Sequence, residues 1–147
     1  MNIRGQLKIV LRDENGNVKE SKTVENLVVN SGLAYAISRM TGTAKNVMSH
    51  MGVGSNSTAP SASDTDLGTT LGSREALDST TITGSNNESV QYVSSFEAGD
   101  GTGAIVEAGL FNASSGGDML CRTTFSVINK GASDTLSLTW TITLSAS

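Results

Sequence analysis

The strongest constraint on the fold is a strict two-residue alternation close to the end of the chain. In residues 136–144, LSLTWTITL, large apolar residues alternate with Ser and Thr. Successive side chains of a β-strand point to opposite faces, so this pattern predicts a strand with one apolar face and one hydroxyl-bearing face. We place Trp140 in the core, and the Ser/Thr ladder against water or a partner.

Similar runs, separated by turns rich in Gly, Asn and Ser, cover most of the chain. The predicted strands are residues 4–12, 18–24, 47–54, 74–83, 89–97, 104–112, 118–126 and 135–144. Asn15-Gly16 predicts a tight hairpin, because both residues tolerate positive φ. Lys19 and Lys22 place the second strand near a sheet edge, where charge discourages pairing with other chains.

One short helix interrupts the strands. Its apolar positions are spaced by four and then three residues: Leu33, Ile37 and Met40. This spacing predicts a helix over 31–41, with Asn30 or Ser31 as its N-cap and Gly42 at its end. A helix this short is marginal alone, so we expect it to pack on the sheet.

The 147 residues are the size of one domain with a single core, so we assign 1–147 to one domain. About eight strands around one core predict an all-β fold, a two-sheet β-sandwich with jelly roll as the leading topology. Residues 55–73 are a long loop of Ser, Thr, Gly and Asp that includes the chain's one Pro. A loop of this length in a compact domain is usually functional, which makes it a candidate contact arm.

Charge and composition exclude several classes of function. The net charge is −4 and the ten Lys and Arg are spread thinly, which argues against direct binding of nucleic acid. No apolar run approaches the ~20 residues that span a membrane, and the N-terminus lacks the apolar region of a signal peptide. We therefore expect a chain made in a cytoplasm. Cys121 is the only cysteine, which excludes an intramolecular disulfide and a cysteine metal cluster.

Glu107 is the one carboxylate inside the run 104–112. With the even-numbered positions facing inward, Ile105, Glu107 and Phe111 face outward, which indicates a surface covered by a helix or a partner subunit. A glycosidase would need a second carboxylate about 5–10 Å away. The acids near neighbouring strand ends are Glu97, Asp100 and Asp118. We favour a structural Glu107, bonded to backbone or to a neighbour.

The remaining candidates for chemistry are weak. His50 is the sole histidine, and no G-x-S-x-G elbow supplies a nucleophile beside it. Asp64 and Asp66 alternate as in some calcium loops, but the EF-hand pattern is absent, and whether they bind an ion stays open. Residues 99–103 are Gly-rich, but no helix or Lys follows that would hold a phosphate. We therefore predict no catalytic residue, no metal and no cofactor.

Three segments, in order, carry a resemblance: NLVVNSGLAYAISRM, MSHMGVGSNSTAPSASDTDLGTTLG and AIVEAGLFNASSGGDMLCRTTFSVINKGASDTLSLTWTITL. Over residues 24–144 the chain resembles small virion proteins of tailed bacteriophages. It is similar to capsid cement, or decoration, proteins of about this length. It is also similar to segments of tail-fibre and baseplate proteins, in which EAGLF(N/D) recurs before a Gly-rich hairpin.

The resemblance implies a structural protein of the virion that binds the outer surface of the head and stabilises contacts between major capsid subunits. The implied partners are the major capsid protein and further copies of this chain, as a dimer or trimer. A tail-fibre or baseplate component is the alternative. We favour the head because the chain ends after its last strand and shows no heptad or short repeat that would trimerise a shaft.

The contact elements expected on this basis are the long loop, the N-terminal strand and the outward positions of 105–111. The named contact residues are Ser57, Thr58, Pro60, Asp64, Asp66, Ile105, Glu107 and Phe111. Deleting 57–70 should then abolish binding to the capsid without unfolding the domain. A carbohydrate-binding module is disfavoured because few aromatic side chains remain for stacking on sugars. A small enzyme is disfavoured because no polar cluster of the required kind is present.

Overall fold

The computed structural model describes residues 1–146 and confirms an all-β chain with one helix. The strands are β1 (Asn2–Arg12), β2 (Val18–Val28), β3 (His50–Gly54), β4 (Glu75–Thr83), β5 (Ser89–Phe96), β6 (Gly103–Phe111), β7 (Met119–Lys130) and β8 (Thr135–Ser145). The helix α1 is Asn30–Ser38. Every predicted strand is present, although β3 begins three residues later than expected and β2 and β7 extend further.

The strands form one closed antiparallel barrel, so the predicted two-sheet sandwich and jelly roll were wrong. The order around the barrel is β1-β2-β7-β6-β3-β4-β5-β8, and β8 pairs with β1 to close it. Two of the junctions are short, because only two register positions join β2 to β7 and only two join β3 to β4. Alternation could not distinguish the two folds, because the inner faces of a sandwich and the interior of a barrel require the same pattern.

Strand β2 is therefore not an edge strand, although its junction with β7 is a seam bridged largely by side chains. Lys22 Nζ donates to Ser126 O at 3.0 Å and to Ser126 Oγ at 2.8 Å. Lys19 Nζ lies 2.8 Å from Asp134 Oδ2. The two lysines that suggested an edge thus bind across the incompletely paired part of the barrel wall.

Side chains fill the barrel, and Trp140 lies among them as predicted, with no exposed surface. Its Nε1 donates to Asn26 Oδ1 at 2.7 Å, which satisfies the indole inside the core. Gly5 lies opposite Asn26, and a Cβ at that position would contact the Asn26 side chain. The other buried residues of β1 and β8 are Leu7, Ile9, Leu11, Leu136, Leu138 and Ile142. Leu144, at the end of the same face of β8, is 38% exposed.

The helix is shorter than predicted. It follows Val29, which caps it without a side-chain hydrogen bond, and it ends at Ser38 rather than near Gly42. Ser31, one of the expected caps, instead donates its Oγ to the carbonyl of Met119 at 2.6 Å. The start of α1 is therefore fixed by β7 and not by a local cap.

The helix packs on the barrel as predicted, but not through the apolar positions whose spacing indicated it. Gly32 and Tyr35 are its buried residues, and a Cβ at Gly32 would contact the carbonyl oxygen of Leu120. This close approach of α1 to β7 turns the apolar positions away from the barrel. Their exposed fractions are 45% for Leu33, 59% for Ile37 and 65% for Met40.

Candidate functional site

Glu107 lies on the outer side of β6, beneath residues 55–73, and its side chain has no exposed surface. Its Oε2 accepts hydrogen bonds from the backbone N–H groups of Asn56, at 2.8 Å, and Thr69, at 3.0 Å. Its Oε1 accepts one from Gly68 N at 2.8 Å. Bonds to an ionised acceptor are stronger than neutral ones and offset the cost of burial. The carboxylate therefore holds both ends of the long loop on the barrel.

Arg122, on the adjacent strand β7, completes this network. Its Nε and Nη2 are each 3.1 Å from Glu107 Oε1, and its Nη1 is 3.1 Å from Asp64 Oδ2. Its Nη2 also donates to the carbonyl of Asn56 at 3.4 Å. The Arg122 side chain is 3% exposed. Because Asp64 also accepts from the Ser61 backbone N–H, the buried guanidinium fixes the middle of the loop.

Glycines let the loop lie directly on the barrel wall. A Cβ on Gly54 would contact the carbonyl oxygen of Thr69 and the carboxylate of Glu107. A Cβ on Gly109 would lie 3.1 Å from the Leu67 side chain. Isolated glycines inside strands often mark a close approach of backbone, and here the approaching segment is the chain's own loop.

Arg74 fixes the far end of the loop. Its guanidinium carbon lies 3.5 Å from the centroid of the Phe111 ring, which is cation–π geometry. Its Nη1 donates to the carbonyls of Ala113, at 2.9 Å, and Gly116, at 2.8 Å. Its Nη2 is 3.3 Å from Asp66 Oδ1. The loop is thereby joined to the turn between β6 and β7.

The loop predicted as a contact arm is thus an ordered part of the domain. Five of the predicted contact residues lie on it and form what we call the loop surface: Ser57, Thr58, Pro60, Asp64 and Asp66. Ser57, Thr58 and Asp66 are exposed, and Pro60 and Asp64 are half-buried. The Thr58 backbone N–H donates to Asn56 Oδ1 at 2.8 Å, so even the exposed part is locally hydrogen-bonded.

The other three predicted contact residues, Ile105, Glu107 and Phe111, are fully buried. Ile105 faces the barrel interior, because an irregularity between Ile105 and Glu107 shifts the pairing of β6 with β7 and reverses the alternation. Glu107 and Phe111 lie outside the barrel on a covered surface, but the cover is residues 55–73 and not a helix or a partner. Their role at an interface stays a prediction, and their burial argues against it.

The expected tolerance of a 57–70 deletion also needs correction. That deletion would remove the N–H donors of Gly68 and Thr69 and the carboxylate of Asp64. Glu107 and Arg122 would lose these partners, and unsatisfied buried charges are strongly destabilising. We therefore expect the deletion to destabilise the domain, which makes it unsuitable as a test of binding.

The acids considered as partners of Glu107 lie elsewhere. Asp118 Oδ2 is 3.2 Å from Lys45 Nζ. Asp100 and Glu97 are neighbours of Glu75, whose pKa is raised first by burial and then by the charge of Asp100. The carboxylate that shares a partner with Glu107 is that of Asp64, on the other side of the Arg122 guanidinium.

The other candidate ligands do not converge either. His50 begins β3, and its Nδ1 lies 2.8 Å from the neighbouring Ser49 Oγ. Asp64 and Asp66 each pair with a different arginine, as described above. Within residues 1–146, no three or more His, Cys, Asp or Glu side chains are grouped so that they could hold a metal ion.

The helix contributes a second candidate surface. It combines side chains from Met1 and the start of β1, from α1 and the turn after it, and from the end of β8. We call this the α1 surface, and its residues are Met1, Ile3, Leu33, Ala36, Ile37, Met40 and Leu144. They line a groove of about 490 Å³ together with one charged residue, Arg39. A contiguous exposed apolar patch of this kind marks an interaction site more often than scattered single residues do.

The Ser/Thr ladder of β8 is on the outer face of the barrel, between β1 and β5, as the alternation predicted. Its residues are Ser137, Thr139, Thr141 and Thr143, and all four are half-buried. Thr143 Oγ1 lies 2.8 Å from Ser89 Oγ on β5. Contact of this ladder with a partner stays a prediction.

No protein-family model, curated protein or solved structure matches this chain. Among residues 1–146, the structure contains no helix of the length and hydrophobicity required to cross a membrane. A fold alone does not specify an activity, so the evidence for function lies in the two surfaces.

Two features of these surfaces were missed at the level of sequence. Arg122 was not recognised as the partner of Glu107. The signal in the sequence was a single Arg in the strand that comes next along the chain after the strand that bears Glu107. The exposure of the α1 surface was also missed. Gly32, a helix glycine in contact with β7, was the residue that could have indicated which face of α1 packs.

Proposed function

We propose that this protein is a structural component of a tailed-bacteriophage virion, a decoration protein that binds the outer surface of the head. The observation that carries the proposal is the segment 55–73 that bears the loop surface, because buried Glu107 and Arg122 hold this segment in one conformation. The resemblance of residues 24–144 to virion proteins supplies the kind of partner, the major capsid protein.

A fixed loop supports a binding role for a physical reason. Ordering a flexible segment on binding costs conformational entropy, on the order of 1–2 kcal/mol per residue for the backbone alone. Hydrogen bonds that already order residues 55–73 in the free protein remove most of that cost, so small polar contacts can suffice. On a capsid shell, many copies of the protein bind one lattice of capsid subunits. When a bound unit makes several modest contacts at once, its avidity exceeds the affinity of each contact.

The test is location in the particle, with variants on the loop surface. Purified protein would be mixed with bare expanded heads and, separately, with isolated tails, then sedimented and imaged. The Ser57→Arg/Thr58→Arg variant changes two exposed loop positions. The Ala132→Arg/Ser133→Arg variant is the matched control, because these two small residues are exposed in the turn between β7 and β8.

We expect stoichiometric, lattice-wide binding to heads by the parent and by the turn variant, and at least a tenfold weaker binding by the loop variant. Binding to tails alone, in a few copies, would reject the head assignment in favour of a tail-fibre or baseplate component. Equal binding by all three proteins would reject the loop surface as the contact.

A further inference from the structure

The α1 surface is separate from the loop surface, and a partner that covers it would have to be a different one. It contains five large apolar side chains that are each at least 38% exposed: Met1, Leu33, Ile37, Met40 and Leu144. The elements beneath them are fixed, since β1 pairs with β8 and α1 packs on β7. Leu33, Ile37 and Leu144 lie on these elements, whereas Met1 precedes β1 and Met40 follows α1.

We propose that a second copy of this chain covers the α1 surface, so that the protein is a twofold-symmetric dimer. In such a dimer the same patch contacts itself, which requires a surface that is complementary to its own copy. Leu33 and Ile37 are one helical turn apart, so two antiparallel copies of α1 can place Leu33 of each copy against Ile37 of the other.

The charges of the chain favour this occupant. Its net charge of −4 opposes self-association over most of the molecule, because like charges repel. Residues 30–38 contain no Asp, Glu, Lys or Arg, so two copies of α1 meet without a charge between them. Arg39 lines the groove, and Glu88 lines a neighbouring cleft that shares Ile3, Ala36 and Leu144 with it. A cation and an anion beside one patch allow opposite charges to meet when the patch faces its own copy.

The area is also sufficient for a dimer. Five large side chains exposed to these extents present roughly 400–500 Å² of apolar surface, within the range of patches that mark interaction sites. Pairing two copies covers about twice that area before the flanking residues are counted, close to the roughly 1,000 Å² expected of a specific interface.

The experiment measures mass and dissociation in the full chain, by light scattering after size exclusion and by sedimentation velocity from about 1 to 100 µM. Ile37→Glu introduces a charge at the centre of the patch while keeping a good helix former. Val18→Glu is the matched control, because Val18 is 56% exposed, against 59% for Ile37, and lies at the opposite end of the barrel. Met40→Glu, beyond the end of α1, tests the same patch outside the helix.

We expect the parent and Val18→Glu to have twice the mass of the 15.2 kDa chain. The two patch variants should be monomers, or dissociate at concentrations at least tenfold higher, with unchanged circular dichroism. A monomeric or trimeric parent at 100 µM would overturn the proposal. So would a patch variant that dimerises as the parent does, or a Val18→Glu variant that dissociates equally. None of these measurements uses phage particles, so the dimer can fail or stand independently of the proposed function.

Discussion

Two outer surfaces of this barrel differ in what they bury. On β6 a carboxylate is fully buried, and each of its oxygens accepts hydrogen bonds from the loop or from Arg122. On α1 and the turn after it, three large apolar side chains are 45–65% exposed, while a glycine and a tyrosine of α1 face the barrel. From residue type alone, the glutamate would be expected in solvent and the three apolar side chains in the core. The difference shows that burial here follows the available partners: the loop offers backbone N–H groups to Glu107, whereas nothing within residues 1–146 fully covers Leu33, Ile37 or Met40.

The largest effect should come from removing the buried carboxylate. Glu107→Ala leaves three backbone N–H groups without their acceptor and Arg122 with one carboxylate fewer. We expect a loss of about 3–5 kcal/mol in the free energy of unfolding, as when one partner of a buried pair is removed. Urea denaturation measures it. Glu14→Ala, in the exposed turn between β1 and β2, should change stability by no more than about 0.5 kcal/mol. A loss below about 1 kcal/mol for Glu107→Ala would mean that the buried network contributes little.

A smaller change should release the loop while the barrel persists. In Gly54→Ala the new methyl group meets the Thr69 carbonyl and the Glu107 carboxylate, so the loop has to move outward. We expect a loss of about 1–3 kcal/mol, typical of overpacking. Limited proteolysis should give new cleavages between residues 57 and 66. Gly42→Ala is the control, since a Cβ there meets no atom within 4 Å. Unchanged cleavage of Gly54→Ala would contradict the close packing of loop and wall.

On the α1 surface, shortening one apolar side chain should have little effect on the stability of the monomer. Ile37→Ala removes three carbon atoms from a side chain that is 59% exposed. We expect its unfolding free energy at submicromolar concentration to lie within about 0.5 kcal/mol of the parent. The comparison is Leu138→Ala inside the barrel, with an expected loss of about 2–5 kcal/mol. A large loss for Ile37→Ala at this dilution would mean that α1 packs more tightly than its exposure indicates.

The smallest effect concerns a carboxylate at the seam. The hydrogen bond from Lys19, followed by that from the Gly131 backbone N–H, holds the pKa of Asp134 below its usual value of 3.8. A carboxyl whose pKa is depressed in the folded state stabilises the protein above its unfolded pKa, and that contribution is lost as pH falls through the folded pKa. Asp134→Asn should therefore be less stable than the parent near pH 6. The difference should shrink as pH falls below about 4, in thermal melts across pH 2.5–7. A difference that is constant with pH would exclude this origin.

The elements of the fold were predictable from local pattern, whereas their closure was not. The alternation in residues 136–144 correctly predicted which side of β8 faces the core, and Asn15-Gly16 predicted the first hairpin. Whether β2 meets β7 depends on two register positions far apart in sequence, which no local pattern encodes. The face of Ile105 was mispredicted because one irregularity in β6 reverses the alternation.

The candidate surfaces were predictable only in part for the same reason. Residues 55–73 were recognised as unusual because the loop is long and polar. Its attachment depends on Arg122 and Arg74, each of which bonds to residues far away in the sequence. The spacing of Leu33, Ile37 and Met40 predicted a helix but could not show which side of it faces the barrel, since that depends on the contact of Gly32 with Leu120.

The pairing of β1 with β8 has a consequence for how the protein is made. On the ribosome β1 can pair with β2 as soon as β2 emerges, but its other edge pairs with β8 from Asn2 to Arg12. At about 5–20 residues per second, the more than 120 residues that separate Arg12 from Thr135 take roughly 6–25 s to synthesise. For that interval a strand of eleven residues has one open edge. Barrel closure is therefore a late, non-local step, and the nascent chain needs protection from other nascent chains until β8 is complete.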